Sequence, residues 1–206
     1  MDLRVRSAIV DIAPSGQFDD RAVTPAGPTA RKRERLAVIA QRINRMRVFL
    51  GAEPTPGLDA PPLAWLAFLA EMKRIVGNAS NDLGFVTTLL AHRYLQRTLP
   101  MASIDAAAKA QGAPGLDIDA RTRDGTRVVG EIKATVPYGG TSLGANQLNS
   151  WRTDFQKLAA ADAGHRFFFV VDPEAFRLVR EVYANLIPGV RVVLLTTGEE
   201  FACPDT

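Results

Sequence analysis

The spacing of apolar residues changes once along this chain, close to Pro100, and the change limits the folds that the chain can adopt. Before this point apolar residues recur every three or four positions, the period of an amphipathic helix. The predicted helices cover about 30–50, 62–76 and 82–98. After it, apolar and polar residues alternate, which is the period of a half-buried strand. A purely helical bundle and a purely β fold are therefore both excluded.

The second half of the chain predicts a strand hairpin followed by two helix–strand units. Alternation over Leu116–Arg121 and Arg127–Val136 indicates the hairpin, and Asp124 and Gly125 lie at its turn. A helix is predicted over 143–161, a strand buried on both faces over 166–171, a helix over 172–186 and a last strand over 190–196. This order predicts an α/β fold, an αβα core with a central mixed sheet that is preceded by N-terminal helices.

Composition places the chain among globular proteins that need no disulfide or structural zinc to fold. Of its 206 residues 47% are hydrophobic and 23% charged, and Cys203 is its one cysteine. We predict a partly mobile arm over 1–29, a helical region over 30–78 and the core over 79–206. No apolar run approaches the roughly 18–20 residues that span a membrane, and no signal peptide is visible, so we expect a cytoplasmic protein without membrane association.

The predicted hairpin gathers charged residues on one of its faces. Alternate side chains share a face, which groups Asp117 with Asp119 on the first strand and Glu131 with Lys133 on the second. A two-residue turn would place these sets on opposite faces, whereas a three-residue turn with Gly125 in the left-handed region unites them. We adopt the three-residue turn, which sets Asp117 opposite Glu131 on a face that we expect to contact water.

Asp117 and Glu131 would then lie about 5 Å apart on neighbouring strands, where two carboxylates repel each other unless a cation lies between them. Mg²⁺ uses one or two carboxylates, several waters and substrate phosphate oxygens, so this pair is a candidate metal site. Lys133, on the same face, can orient or deprotonate a water and stabilise developing negative charge. Such a set suits phosphodiester cleavage. The alternative is a cross-strand salt-bridge ladder without chemistry.

These residues resemble the motif of the PD-(D/E)XK nuclease superfamily, in which an aspartate precedes a hydrophobic residue and Glu-X-Lys follows on the next strand. Here Asp117 precedes Ile118, and Glu131 and Lys133 follow fourteen and sixteen residues after Asp117. The pattern is similar to that of type II and Mrr-type restriction endonucleases and of archaeal Holliday-junction resolvases. The resemblance covers about 81–195 and implies a restriction-endonuclease-like αβα core.

The resemblance also implies a metal-dependent endodeoxyribonuclease that hydrolyses double-stranded DNA. It implies Mg²⁺ as the metal, with Mn²⁺ as a substitute, held by Asp117 and Glu131, and Lys133 as the catalytic lysine, with no small-molecule cofactor. We favour a type II-like restriction endonuclease, and we expect a homodimer because symmetric cutting of both strands needs two sites. A Holliday-junction or repair nuclease of the same fold, and a non-catalytic DNA-binding module, are the alternatives.

Three further polar residues, Asp119, Gln147 and Asn81, are predicted to have supporting roles. Asp119 shares the face of the carboxylate pair and is expected to support the site rather than to bind the metal. Gln147 matches a glutamine that several superfamily members carry on the helix after the lysine strand; it either contacts phosphate or a metal-bound water, or faces solvent. The first superfamily helix often carries a glutamate near the metal, and Asn81, Asp82 and His92 are the polar residues available there.

The predicted helix over 30–50 is strongly basic. It carries seven arginine and lysine residues against Glu34 alone, although the whole chain has a net charge of only +3. Its apolar residues occupy one face and its arginines mostly the other. We predict that Arg35, Arg42 and Arg45 contact the DNA backbone; an ordinary solvated helix face is the alternative.

Overall fold

A computed structural model describes residues 29–102, 104, 114–137 and 143–204 of the chain. Within these ranges three helices come first, and a five-stranded sheet with its connecting helices follows. The helices are α1 (Ala30–Ala52), α2 (Pro62–Val76), α3 (Ala79–Thr98), α4 (Ala145–Ala160) and α5 (Pro173–Leu178). The strands are β1 (Ile118–Arg121), β2 (Arg127–Lys133), β3 (His165–Val170), β4 (Arg191–Leu194) and β5 (Glu200–Ala202). The predicted arm over 1–29 lies outside the described residues, apart from Thr29.

Local capping chemistry sets the ends of the first three helices. Thr29 begins α1, as its side chain accepts a hydrogen bond at 3.3 Å from the backbone N–H three residues later. Gly77, with φ at 59°, ends α2. α3 begins at Ala79, three residues before the start predicted from the sequence. The side chain of Asn78 accepts from the N–H of Asn81 at 3.1 Å, so α3 begins earlier.

The five strands form one mixed sheet in the order β1-β2-β3-β4-β5. β2, β3 and β4 run parallel, whereas β1 and β5 are antiparallel to their neighbours. α4 connects β2 to β3. α5 continues through a π turn, Val179–Tyr183, and a 3₁₀ turn, Ala184–Leu186, before β4. Parallel neighbours require such crossovers, and the predicted α/β fold with a central mixed sheet is confirmed.

The edges of the sheet differ from the prediction. β4 corresponds to the strand expected over 190–196, but it is not the last strand, because β5 pairs with it from the edge. β5 has three residues, too few for an alternating pattern to be recognised. Outside the named strands, and within the described residues, a single antiparallel bridge joins Met101 to Thr122.

The hairpin of β1 and β2 has the predicted register. Ile118 pairs with Gly130, and Asp119 pairs with Val129. Gly125 adopts a φ of 89°, where a side chain would be strained, and its N–H donates to the carbonyl three residues earlier at 3.0 Å. The three-residue turn is therefore confirmed, and it brings the charged residues of both strands to one face.

Helices cover both faces of the sheet. On one face the ring of Tyr94 of α3 lies edge-on to the rings of Phe167 and Phe169 of β3. On the other face α4 and α5 pack against the sheet, with the ring of Trp151 edge-on to that of Phe168. The result is a three-layer αβα arrangement in which α4 lies over the face of β2 that carries Glu131.

α1 turns two of its arginines inward, toward α3. The guanidinium of Arg35 lies 4.5 Å from the centre of the Phe85 ring, and Arg42 forms an ion pair with Asp82. The prediction that the arginines occupy the outer face is therefore wrong for these two residues. Long cationic side chains can lie along apolar surface while their charged ends reach a partner, so charge alone does not define the outer face.

α2 is apolar on all sides over its first nine residues, Pro62–Ala70. One side faces α1, where the ring centre of Phe68 lies 5.0 Å from that of Phe49, while Leu63 and Leu66 are 74% and 63% exposed. A helix that is apolar all round is usually covered on all sides in the assembled protein. Across the described residues, no helix combines the length and apolarity of a membrane span.

Candidate active site

The two predicted metal ligands meet where β1 begins beside β2. Glu131 is only 2% exposed, because α4 covers this part of the hairpin face. The expectation that the face contacts water is wrong at this residue. Asp117 lies just before β1 and is exposed, and its Oδ2 accepts a hydrogen bond from the backbone N–H of Ile132 at 2.9 Å. The structure thus brings together one buried and one exposed carboxylate, each with a fixed position.

The environment of Glu131 favours its protonated form. Burial first, and then the hydrogen bond and charge of Asp117, raise the pKa of Glu131 to about 8. The charge of Asp154 adds to this rise, whereas that of Lys157 opposes it. The carboxyl pair therefore holds a proton at neutral pH, and a divalent cation would have to displace that proton to bind.

Lys133, the predicted catalytic lysine, is held by two residues of α4. Its Nζ forms an ion pair with Asp154 and donates a hydrogen bond to Oγ of Ser150 at 3.1 Å. Its side chain is 15% exposed, so the ammonium group lies at the boundary between core and solvent. Lys133 follows Glu131 by two residues on β2, and the alternation of the strand keeps both on one face.

A second lysine, Lys157 of α4, completes the cluster. Its Nζ lies 2.8 Å from Oδ1 of Asp154 and 3.4 Å from Oε1 of Glu131. The hydrogen bond with Asp154 is the largest of the effects that raise the pKa of Lys157, so this group is charged at neutral pH. Asp154 therefore pairs with two ammonium groups, one on β2 and one on α4.

Sequence reasoning missed Asp154 and Lys157. Asp154 is 5% exposed and lies within the apolar stripe that Trp151, Phe155 and Leu158 form on α4. A carboxylate on the buried face of a helix needs a cationic partner, and a lysine three residues away offers one. This acid inside an apolar stripe is the sequence signal that would have identified the pair.

The three predicted supporting residues have hydrogen bonds in the hairpin, between α4 and the segment after β2, and at the start of α3. Asp119 accepts hydrogen bonds from Nε and Nη2 of Arg127 at 3.0 and 2.7 Å, which ties it to the neighbouring strand. Gln147 donates to the carbonyl of Val136 at 2.9 Å and so links α4 to the segment after β2. Asn81 lies in the first turn of α3, where its N–H is capped. Their roles at the site stay predictions.

The three predicted DNA-contacting arginines of α1 are placed differently from one another. Arg45 is exposed, whereas Arg35 and Arg42 contact α3. Asp82, a candidate for the acidic position on the first core helix, is the partner of Arg42 in this ion pair. His92, another candidate for that position, is buried. An exposed arginine can reach a phosphate without giving up an internal contact, so Arg45 is the best placed of the three.

The donor set fits a hard cation that keeps most of its water. In the described part of the chain, no three or more His, Cys, Asp and Glu side chains are arranged to hold a metal ion. Asp117 and Glu131 offer two carboxylates, which is the number of protein ligands that Mg²⁺ commonly takes alongside waters and substrate phosphate. Burial is the largest cause of the raised pKa of Glu131, and the charge of Asp117 adds to it; a bound cation would relieve this repulsion between the two carboxylates.

No protein-family model, curated protein or solved structure matches this chain. The site is therefore interpreted from its own chemistry. It combines a carboxylate pair, of which Asp117 is open to solvent, with the ammonium groups of Lys133 and Lys157. Such a set can bind a divalent cation and, beside it, a phosphate group on which negative charge develops.

Proposed function

We propose that this chain is a Mg²⁺-dependent DNA endonuclease of the PD-(D/E)XK type, with a restriction-endonuclease-like core over 79–206. The observation that carries the proposal is the buried carboxyl group of Glu131 beside the exposed carboxylate of Asp117, with Lys133 held two residues after Glu131 on the same strand. A solvated salt-bridge ladder would leave its acids exposed, whereas Glu131 is 2% exposed and its pKa is raised to about 8. A type II-like restriction endonuclease acting in the cytoplasm is the function we favour.

The chain's own residues have distinct roles in this proposal. The N–H of Ile132 fixes the carboxylate of Asp117, and burial under α4 fixes that of Glu131, so both ligands are preorganised. When bound, Mg²⁺ or Mn²⁺ supplies charge stabilisation at the phosphate and a water that ionises more readily. Lys133 orients the attacking water and stabilises the negative charge that develops on the phosphate oxygens. Nζ of Lys157 lies 3.4 Å from Oε1 of Glu131 on the side of α4, where its charge favours the ionised carboxylate.

The direct experiment is a plasmid-cleavage assay with the purified protein. Supercoiled DNA is expected to become nicked and linear with Mg²⁺ or Mn²⁺, and to stay intact with EDTA. A synthetic four-way junction tested in parallel addresses the repair alternative, because selective cleavage of the junction would replace the restriction role. DNA binding without cleavage of either substrate would support the non-catalytic module and contradict the proposal.

The contribution of α1 to DNA binding can be measured through its salt dependence. Arg45→Gln is expected to weaken binding to all DNA sequences alike and to reduce the slope of log affinity against log salt by about 0.9, because one phosphate contact is lost. Fluorescence anisotropy over a series of salt concentrations measures the slope. Arg42→Gln is the matched control: it should lower the melting temperature, through its ion pair with Asp82, and leave the slope unchanged. An unchanged slope for Arg45→Gln would make α1 an ordinary solvated helix.

We propose that two copies of the chain associate through the exposed face of α2. Symmetric cutting needs two sites, and monomers rarely expose apolar patches of more than a few hundred Å². The double variant Leu63→Glu, Leu66→Glu is expected to convert a dimer to a monomer in sedimentation velocity, because both leucines are mostly exposed in the single chain. Leu186→Glu, at another exposed leucine, is the matched control and should stay dimeric. A monomeric wild type at micromolar concentration would contradict this interface.

A further inference from the structure

The buried carboxylate of Asp154 lies between the two lysines of the candidate active site. Its Oδ2 pairs with Lys133, and its Oδ1 lies 2.8 Å from Nζ of Lys157. Ser150, one turn earlier on α4, accepts a hydrogen bond from the same Lys133 ammonium at 3.1 Å. Asp154 is 5% exposed, so it does not itself meet DNA, and the reaction proposed above assigns it no part.

We propose that Asp154 is a positioning residue that holds the ammonium of Lys133 in place for phosphodiester cleavage, an inference that rests on the proposed nuclease function. A lysine has a long flexible side chain and loses much rotamer freedom when its ammonium is fixed. Ser150 and Asp154 are four residues apart, so they project from one face of α4 toward β2. Two acceptors on a rigid helix hold the ammonium of Lys133 in one position before substrate binds. Such preorganisation of a catalytic group contributes a large part of an enzymatic rate enhancement.

The contact with Lys157 explains how Asp154 can hold Lys133 without neutralising it. A lone carboxylate would compete with the phosphate for the Lys133 ammonium. Asp154 is shared between two ammonium groups, so the three side chains together carry one net positive charge. Lys133 therefore retains the capacity to stabilise an oxyanion while its position is set from α4.

Asp154→Asn tests the role, since it keeps the volume of the side chain and removes the charge. The single-turnover cleavage rate is expected to fall about 10- to 100-fold, with the Kd for DNA changed by less than about twofold. In a Lys133→Met background the same substitution should change the rate by less than about twofold, because the ammonium group that Asp154 positions for the reaction, that of Lys133, is already absent. Asp172→Ala is the stability control: it removes the side-chain cap of α5 and should lower the melting temperature without slowing cleavage.

A wild-type cleavage rate in Asp154→Asn would overturn the inference. So would a further tenfold loss of rate when Asp154→Asn is added to Lys133→Met, since a merely structural role would act in both backgrounds. Should Asp154→Asn fail to fold, Ser150→Ala removes the second contact from α4. It is expected to slow cleavage about two- to fivefold in the wild-type background and to have no effect without the lysine.

A chemical readout separates this inference from the nuclease proposal itself. Acylation of Lys133 by acetic anhydride, followed by mass spectrometry and referred to the exposed Lys73, should be several-fold faster in Asp154→Asn than in the wild type. Equal acylation in the two proteins would overturn the positioning of Lys133 by Asp154, whatever the activity. If acylation is faster in Asp154→Asn but the wild-type protein does not cleave DNA with Mg²⁺, the nuclease proposal is overturned. The contact of Asp154 with Lys133 would then have no catalytic role.

Discussion

Replacement of Glu131 by glutamine is expected to reduce Mg²⁺-dependent DNA cleavage by about a thousandfold or more. Glutamine keeps the volume of the side chain but supplies no charged oxygen to a hard divalent cation. A metal ion contributes several kcal/mol of charge stabilisation at a phosphate, and each step of about 1.4 kcal/mol corresponds to a tenfold change in rate. Single-turnover cleavage of a plasmid at saturating Mg²⁺ measures the loss.

The same variant reports on the buried acid without any DNA. In the metal-free protein the pKa of Glu131 is raised from its ordinary value of 4.5 to about 8, so over this interval the folded state keeps a proton that the unfolded state releases. The contribution of this group to stability is full below pH 4.5 and is lost as the pH rises through about 8. Glu131→Gln has no such loss, so its melting temperature relative to wild type should increase from about pH 5 to about pH 9.

Two aspartates of the hairpin provide the matched comparison. Asp119→Asn is expected to keep measurable activity, because its carboxylate forms an ion pair with Arg127 and is not one of the two predicted metal ligands. Asp117→Asn should keep almost none, since it removes the second predicted metal ligand. If Asp117→Asn kept activity and Asp119→Asn lost it, the metal ligand on this strand would be Asp119 instead of Asp117. Cleavage by Glu131→Gln at the wild-type rate would remove Glu131 from the site altogether.

The hairpin that carries the site is predictable because local rules decide its register. Alternation determines which residues share a face, and Gly125 determines the length of the turn, so the pairing of Ile118 with Gly130 follows from the sequence. A turn one residue shorter would send Asp117 and Glu131 to opposite faces of the sheet. The mixed sheet is predictable for a similar reason, because a helix between two strands implies a parallel crossover.

Contacts between distant elements are not predictable in this way. The burial of Glu131 depends on how α4 crosses β2, and the pairings of Asp154 and Arg42 depend on which helix face docks against its neighbour. The hydrophobic period predicts the inner face of a helix only where that face carries no charged residue. Asp154 of α4 and Arg42 of α1 both lie on inner faces. Sequence reasoning therefore identified the pair on the hairpin and missed the residues that α4 adds to it.

Replacement of Lys133 by methionine is expected to slow cleavage by about 10²- to 10⁴-fold while DNA binding persists. Methionine retains the apolar stem of lysine but has no ammonium group to orient the water or to stabilise charge at the phosphate. Asp154 keeps its ion pair with Lys157 at 2.8 Å, so the buried carboxylate is not left unpaired and the fold is preserved. Single-turnover rates, together with DNA affinity by anisotropy in Ca²⁺, separate chemistry from binding.

Metal affinity separates the role of Lys133 from that of Glu131 on the same strand. The affinity for Mn²⁺, measured by electron paramagnetic resonance, should fall in Glu131→Gln and stay within about threefold of wild type in Lys133→Met, because an ammonium group is no metal ligand. Lys73→Met, on the exposed side of α2, is the matched control and should cleave like the wild type. A near-normal rate in Lys133→Met would favour the salt-bridge ladder, in which the lysine contributes to strand pairing and takes no part at phosphorus.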